Sequence, residues 1–396
     1  MSTTKKFLLG FVAVLLLIHI LLWVTEKTYL YKGVANTYLK GRSGPTIDEH
    51  QIFENRLIKT ANPQDWPNSV YYNKYEVSDS LIEKMEFYKT VAFLVINDDS
   101  VLYEQYWENF SDSSLSNSFS MGKTIVSVLV GAAIHEGKIK SVDQPVGDFI
   151  PEYKEGDNAK LTIKHLLTMS SGINFDEDYV NPFAYPAEAY YGSDLRKLTI
   201  NGKYKLTEEP GKVFKYLSGN TQLLAFLLEA ATGMKISDYA SEKLWKPMGA
   251  NHDAQWNLDD NGNEKAFCCF MSNARDFARY AKLYRDYGKW NGVQLVDSEY
   301  VANSIIPADL VQKDGSKLET YGYSWWLVND YKGHKIFYMR GILGQYVWCI
   351  PDLNLIVVRL GRKRVPQPSD AHPEDMFIYL DAAMELVAKK NSEKTL

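Results

Sequence analysis

Residues 118–139 read SFSMGKTIVSVLVGAAIHEGKI. This apolar run predicts a buried helix that begins near Ser120 and ends at Gly137, since glycine commonly terminates helices. Ser120 and Lys123 stand three residues apart and share one helical face, so the lysine amine can reach the serine hydroxyl. The helix N-terminus stabilises negative charge, and apolar surroundings favour a neutral amine that accepts a proton. The pattern indicates a nucleophilic serine with a lysine base; the alternative is a serine cap beside a solvated lysine.

Strand and helix patterns follow a definite order around this helix. Residues 91–107, VAFLVINDDSVLYEQYW, predict a β-hairpin that turns at positions 97–100. Helical patterns fill most of residues 138–310, four short β runs lie within residues 324–361, and a last helix is predicted over residues 373–390. This order favours an α/β (α+β) fold in which both chain ends build one sheet and a mostly helical region is inserted between them.

The N-terminus carries a candidate membrane span. Residues 7–24, FLLGFVAVLLLIHILLWV, are apolar except for His19, and a helix of about 20 such residues crosses a bilayer core. Lys5 and Lys6 precede it, which places the N-terminus in the cytoplasm and the rest of the chain outside. The alternative is a cleaved signal peptide, but residues 25–33, TEKTYLYKG, contain no small-residue cleavage site. We therefore expect an uncleaved signal-anchor and an extracytoplasmic, membrane-attached domain.

Composition and spacing exclude several function classes. A net charge of −5 argues against a nucleic-acid partner. Position 117 is Asn where a phosphate-binding loop needs Gly, and no serine satisfies the G-x-S-x-G pattern. Cys268, Cys269 and Cys349 lack ligand spacing, and adjacent cysteines rarely pair, so we expect three buried thiols. We expect no metal and no cofactor.

Seven blocks of the chain carry a family resemblance in the same order: residues 118–139, 141–153, 161–173, 209–233, 236–250, 321–326 and 341–358. They resemble the serine β-lactamase-related hydrolases, a family that includes class C β-lactamases, DD-peptidases, family VIII-like esterases and 6-aminohexanoate-dimer hydrolases. The resemblance implies an antiparallel sheet flanked by helices, as in β-lactamases and transpeptidases. Together with the apolar run and the turn-rich stretch after it, this predicts three parts: a cytoplasmic stub and anchor (1–28), a spacer packing partly on the domain (29–84) and a hydrolase domain (85–392).

The resemblance also implies roles for individual residues. Ser120 takes the place of the acylated nucleophile, and Lys123 that of its base or proton relay. Tyr216 stands for the family tyrosine of Y-x-N, and a phenol beside an ammonium ionises more easily. The family asparagine two residues on is here Ser218, with Asn220 as a possible substitute in sequence. This departure resembles the 6-aminohexanoate-dimer hydrolase branch.

A second group of predicted residues lines the substrate. In residues 339–345, MRGILGQ, the uncharged Gly341 and Ile342 stand where β-lactamases carry a Lys or His that grips a carboxylate. Arg340 is the one cation that could replace it. The resemblance implies that the backbone N–H of Ile342 completes an oxyanion hole with that of the nucleophile. It also implies that Tyr179, at the end of FDEDY, lies over the substrate; the alternative is loop packing.

These expectations converge on a serine hydrolase that acts through an acyl-enzyme on ester or amide bonds, including peptide-like ones. Its partners would be a small-molecule or peptide-like substrate and the membrane, reached through the N-terminal helix. Whether the lysine or the tyrosine is the base stays open. The alternatives are a DD-peptidase or β-lactamase type of cell-wall enzyme, and a non-catalytic sensor that resembles penicillin-binding proteins.

Overall fold

A computed structural model describes residues 2–366 and 372–394 of the chain. Its helices are α1 (Thr3–Val24), α2 (Tyr29–Asn36), α3 (Asp79–Phe87), α4 (Met121–His135), α5 (Ile163–Leu167), α6 (Tyr185–Tyr191), α7 (Ser218–Thr232), α8 (Ile236–Ala240), α9 (Ala274–Arg285), α10 (Ser298–Ser304) and α11 (Met376–Lys394). Its strands are β1 (Asn55–Ile58), β2 (Thr90–Asn97), β3 (Ser100–Tyr106), β4 (Ser116–Asn117), β5 (Ala254–Asn257), β6 (Phe270–Ser272), β7 (Lys289–Trp290), β8 (Val293–Gln294), β9 (Trp326–Tyr331), β10 (His334–Gly341), β11 (Gln345–Ile350) and β12 (Leu355–Gly361).

The main sheet has six strands in the order β3-β2-β12-β11-β10-β9, and every neighbouring pair is antiparallel. The hairpin β2–β3 comes from the N-terminal side of the helical region and β9–β12 from its C-terminal side. In the central pair, Val95 lies opposite Val357 and Leu94 opposite Val358. The predicted α/β fold, with one antiparallel sheet built from both chain ends, is confirmed.

Both faces of this sheet are buried, because its strands alternate between two cores. Leu94 and Ile96 of β2 pack with α4 and α9, whereas Phe93 and Val95 pack with α3 and α11. Consecutive strand side chains point to opposite faces, so a strand covered on both sides is apolar throughout. All eight residues of β2 are accordingly buried.

A smaller sheet, β1-β5-β6-β4, holds the start of α4 in place. Its strand β4 ends three residues before Ser120, and the Ser118 N–H donates to the Phe270 carbonyl at 2.8 Å. At the other edge, β1 pairs with β5 in antiparallel register, with Asn55 opposite Asn257. The segment predicted as a spacer therefore contributes a strand to this sheet.

Helix α1 is long and apolar, and none of its residues is buried. By length and composition it could cross a membrane or serve as a signal sequence. Helix α2 begins five residues after α1 ends and packs against α6. Lys27, in the connection, forms an ion pair of 2.8 Å with Glu188 of α6.

The prediction of three free cysteines is wrong for the adjacent pair. Cys268 and Cys269 form a disulfide, whereas Cys349 is a buried thiol as expected. Adjacent side chains of an extended chain point apart, which is why such pairs rarely bond. Here the chain bends, and Cys269 has a φ of +67°, so the local backbone is not extended.

Candidate active site

The helix start predicted at Ser120 is confirmed, since α4 begins at the next residue. Ser120 occupies the N-cap position and is partly exposed, so its hydroxyl stands at the positive end of the helix. The preceding residue, Phe119, is buried and has a φ of +42°. A non-glycine residue in this region is strained, and such strain is common beside reactive groups.

Lys123 lies one helical turn beyond Ser120 and is 1% exposed. Its Nζ donates to Ser120 Oγ at 3.0 Å and to the Phe267 carbonyl at 3.1 Å. The backbone contact fixes the amine beside the hydroxyl. Lys123 is therefore buried, and the alternative of a solvated lysine beside a serine cap does not hold.

Tyr216 approaches the same lysine from another part of the chain. Lys123 Nζ lies 5.0 Å from the centroid of the Tyr216 ring. Tyr321 and Trp326 hold this ring, with centroids 6.1 Å and 5.6 Å away. The structure thus brings together the serine, lysine and tyrosine that the sequence singled out.

Ser218 is the first residue of α7, and its side chain contacts Glu177. The sequence analysis did not identify Glu177 as a site residue. Its N–H donates to Glu177 Oε2 at 2.7 Å and its hydroxyl to Glu177 Oε1 at 2.5 Å. The Tyr179 hydroxyl donates to the same Oε1 at 2.8 Å. Asn220, the alternative to Ser218, is buried and directs its amide nitrogen to the Met169 sulfur.

Glu177 places a carboxyl group near the lysine. Burial raises the pKa of this carboxyl, while the Lys123 charge and the hydrogen bonds from Ser218 act in the opposite direction. About half of the Tyr179 side chain is exposed, but its hydroxyl points to Glu177, and the loss of solvent there raises the pKa of Tyr179 above its usual value, an effect to which the Glu177 charge adds. The only sequence signal for Glu177 is its place inside the FDEDY segment.

The remaining predicted residues meet at the strand β10 and the turn that follows it. A Cβ at Gly341 would lie 2.4 Å from the Ser118 carbonyl oxygen, so only glycine allows the strand this close to the chain that carries Ser120. Ile342 follows and lines the same cleft as Ser120. Arg340 points to the other face of the strand, where its guanidinium lies 3.5 Å from the Trp326 ring centroid.

Ser120 opens into a cleft of about 170 Å³. One wall is formed by Ser120, Ser218, Phe267 and Ile342, and Tyr179 stands at the cleft with about half of its surface exposed. A second wall comes from the chain directly after α1. Its lining residues are Tyr29, Leu30, Gly33, Val34, Thr37, Tyr38, Ser43, Gly44 and Pro45.

Known proteins share this sequence pattern and fold. The family model described as Beta-lactamase matches residues 79–379, which is most of the chain. A 6-aminohexanoate-dimer hydrolase from Paenarthrobacter ureafaciens is 28% identical over 324 residues, 78% of this chain and 81% of that protein. The chain therefore belongs to the beta-lactamase family, and the resemblance drawn from the sequence blocks is confirmed.

Solved structures agree on the fold. A Bacillus anthracis protein assigned as a 6-aminohexanoate-dimer hydrolase superposes with a TM-score of 0.72 at 21% identity, over 86% of this chain and 92% of that one. A family VIII carboxylesterase gives a TM-score of 0.62 at 16% identity, over 81% and 98%. The protein is a hydrolase of the beta-lactamase family.

Proposed function

We propose that this protein hydrolyses ester or amide bonds through an acyl-enzyme on Ser120, with Lys123 and Tyr216 moving the protons. The observation that carries this proposal is the 3.0 Å hydrogen bond between Lys123 Nζ and Ser120 Oγ at the N-terminus of a buried helix. A neutral amine at the same distance can accept the hydroxyl proton, which turns a weak nucleophile into a strong one.

The proposed cycle has two halves. Ser120 Oγ attacks the substrate carbonyl while Lys123, or an ionised Tyr216, takes the proton. The N–H groups of Ser120 and Ile342 stabilise the oxyanion. Tyr216 returns the proton to the leaving alcohol or amine, and the acyl–Oγ bond then breaks by attack of water activated by the same groups. The products are a carboxylic acid and an alcohol or amine.

The charges around the cleft favour substrates without a carboxylate next to the scissile bond. The strand position beside Ser120 is the uncharged pair Gly341–Ile342, and Arg340 is directed to Trp326 on the other face. Glu177 contributes a carboxylate behind Ser218. A desolvated substrate carboxylate would therefore find no cation on the face of β10 that Gly341 turns to the chain before Ser120. This supports esters and linear amides over β-lactams and peptides that end in D-Ala-D-Ala.

We further propose that α1 remains on the mature protein as a membrane anchor, with the catalytic domain outside the cytoplasm. Lys5 and Lys6 before the apolar run support this orientation. Membrane fractions should retain the protein through carbonate extraction, and added protease should digest the domain in spheroplasts or whole cells. A mature N-terminus between residues 25 and 35 would show a signal peptide instead.

Covalent labelling tests the chemistry directly. A fluorophosphonate probe should add one adduct, mapped by peptide mass spectrometry to Ser120 and not to the buried Ser118. Ser120→Ala should abolish labelling and turnover. Tyr216→Phe should keep the fold and lower kcat by roughly 10²-fold, the scale of general acid–base help.

A panel of p-nitrophenyl esters, linear amides, D-Ala-D-Ala peptides and nitrocefin then ranks the substrate classes. We expect p-nitrophenyl esters to exceed nitrocefin in kcat/KM. Preference for nitrocefin would support the β-lactamase alternative instead. A folded protein with no adduct and no turnover would support the non-catalytic sensor.

A further inference from the structure

The cleft wall formed by residues 29–45 continues the chain from the candidate membrane helix. Tyr29 and Leu30 line the cleft, and α1 ends at Val24. A chain advances by at most about 3.6 Å per residue, so these side chains start within roughly 20 Å of the helix end. Tyr29 is buried, and its hydroxyl donates to the Pro182 carbonyl at 2.9 Å, which ties this wall to the loop on the other side of the mouth.

A second contact places the chain after α1 beside the last turns of that helix. Tyr31 OH lies 3.0 Å from His19 Nδ1, and the two rings are stacked with centroids 5.9 Å apart. His19 precedes the end of α1 by five residues, or about 7–8 Å of helix. The chain after α1 thus folds back along the helix. With α1 across a bilayer, Tyr31 would lie at the depth of the outer interface.

Exposed apolar side chains lie in and beside the two chain segments, residues 29–45 and 179–187, that line the cleft, and we call them the apolar rim. Leu39 is 78% exposed and Val180 89% exposed, although both are large aliphatic residues. Soluble surfaces rarely collect such residues in one place, and contiguous patches mark sites that contact a membrane or an apolar ligand. The apolar rim consists of Tyr31, Val34, Tyr38, Leu39, Tyr179, Val180 and Phe183.

We infer that the cleft takes its substrate from the bilayer, and that this substrate is an ester or amide with a long aliphatic chain. The scissile carbonyl reaches Ser120 while the chain lies between residues 29–45 and the loop that carries Tyr179, Val180 and Phe183. This substrate class rests on the proposed function and on the retained anchor. Four of the rim residues follow α1 directly in the chain, and Tyr31 contacts His19 of α1, so lipid hydrocarbon is the occupant that this position favours.

The test uses the full-length protein reconstituted in phosphatidylcholine vesicles. Two p-nitrophenyl esters are compared: the butyrate, which dissolves in water, and the palmitate, which partitions into the vesicles. The variant carries Leu39→Glu and Phe183→Glu, two rim residues that do not line the cleft. The matched control carries Val70→Glu and Phe87→Glu, which are also exposed apolar residues but lie outside the rim.

We expect the rim variant to lose at least about tenfold in palmitate hydrolysis, because its carboxylates must be desolvated against lipid. Its butyrate hydrolysis should stay within about twofold of the wild type, and the control should change neither rate. Equal losses on both esters, or an unchanged palmitate rate, would overturn the inference while leaving the proposed function standing. A rim variant that changes only the oligomeric state of the protein, and neither hydrolysis rate, would overturn the inference as well. A wild-type protein inactive on both esters and unlabelled at Ser120 would overturn the proposed function as well.

Discussion

Replacing Gly341 by Ala would move the proposed oxyanion hole apart without altering a single reacting group. The new Cβ would lie 2.4 Å from the Ser118 carbonyl oxygen, where ordinary contact begins at 3.4 Å. The end of β10 and the chain before Ser120 must therefore separate by about 0.6–1 Å. Ile342 follows Gly341 directly, so its N–H moves with the strand. The Cβ is fixed by the backbone of residue 341 and its contact is the backbone oxygen of Ser118, so no side-chain rotation relieves the clash.

The expected cost follows from this displacement. A misplacement of about 1 Å lowers rates by roughly 10²-fold, and loss of one oxyanion donor costs about 10²–10³ in kcat. We therefore expect Gly341→Ala to reduce kcat for p-nitrophenyl butyrate by about 10²-fold, with a much smaller change in KM. The rate of fluorophosphonate labelling should fall in parallel, because acylation uses the same hole. Circular dichroism and thermal unfolding check that the protein remains folded.

Gly10→Ala is the matched control, since a Cβ at Gly10 meets nothing within 4 Å. It should leave kcat and KM unchanged. A folded Gly341→Ala protein with kcat within about twofold of the wild type would refute the placement of Ile342 in the oxyanion hole. A large rise in KM with an unchanged kcat would assign this strand to substrate binding alone.

Three further predictions concern charge and chain length. Burial lowers the pKa of Lys265 well below its usual 10.5, so holding this lysine in the core costs stability at pH 7. Lys265→Met should therefore raise the free energy of unfolding at pH 7 by about 1–3 kcal/mol. This gain should disappear as the pH rises to 10.5, because the lysine of the unfolded wild-type chain is then also neutral. Burial lowers the pKa of His372 from 6.5 to about 4, so the unfolded chain takes up the proton first as the pH falls. The free energy of unfolding should therefore fall as the pH falls from 6.5 to 4, by at most about 1.4 kcal/mol per pH unit. His372→Gln should flatten this part of the stability curve, as measured by thermal unfolding. Removal of residues 1–24 should preserve butyrate hydrolysis, whereas removal of residues 1–30 should lower it because Tyr29 is stripped from the cleft wall.

Elements with strong local patterns could be predicted from the sequence. The hairpin β2–β3 and helix α4 fall where their apolar periods placed them. The strand β1 could not be predicted, because it has four residues, only one of which is buried, and it pairs with β5 about 200 positions further along the chain. Such a strand is stabilised by its partner, and its own sequence carries almost no signal.

The candidate site divides in the same way. Ser120 and Lys123 sit on one helix, so their spacing alone predicts their contact. Glu177 could not be identified because its partner Ser218 is 41 residues away and the segment around it resembles an ordinary acidic loop. The Cys268–Cys269 disulfide was missed for a related reason, since it depends on a local backbone bend that residue types alone do not specify.

The connection after α1, residues 25–30, links this helix to the wall of the cleft. Tyr29 joins the cleft wall to Pro182, and Lys27 joins the same segment to Glu188 of α6. These two contacts hold the connection on the domain, and the contact of Tyr31 with His19 holds the connection against α1. A flexible linker inserted after Val24 should therefore leave the contacts of Lys27 and Tyr29 intact while it frees α1 from the domain. A linker inserted after Leu30 would instead separate Tyr29 and Leu30 from the rest of the cleft wall.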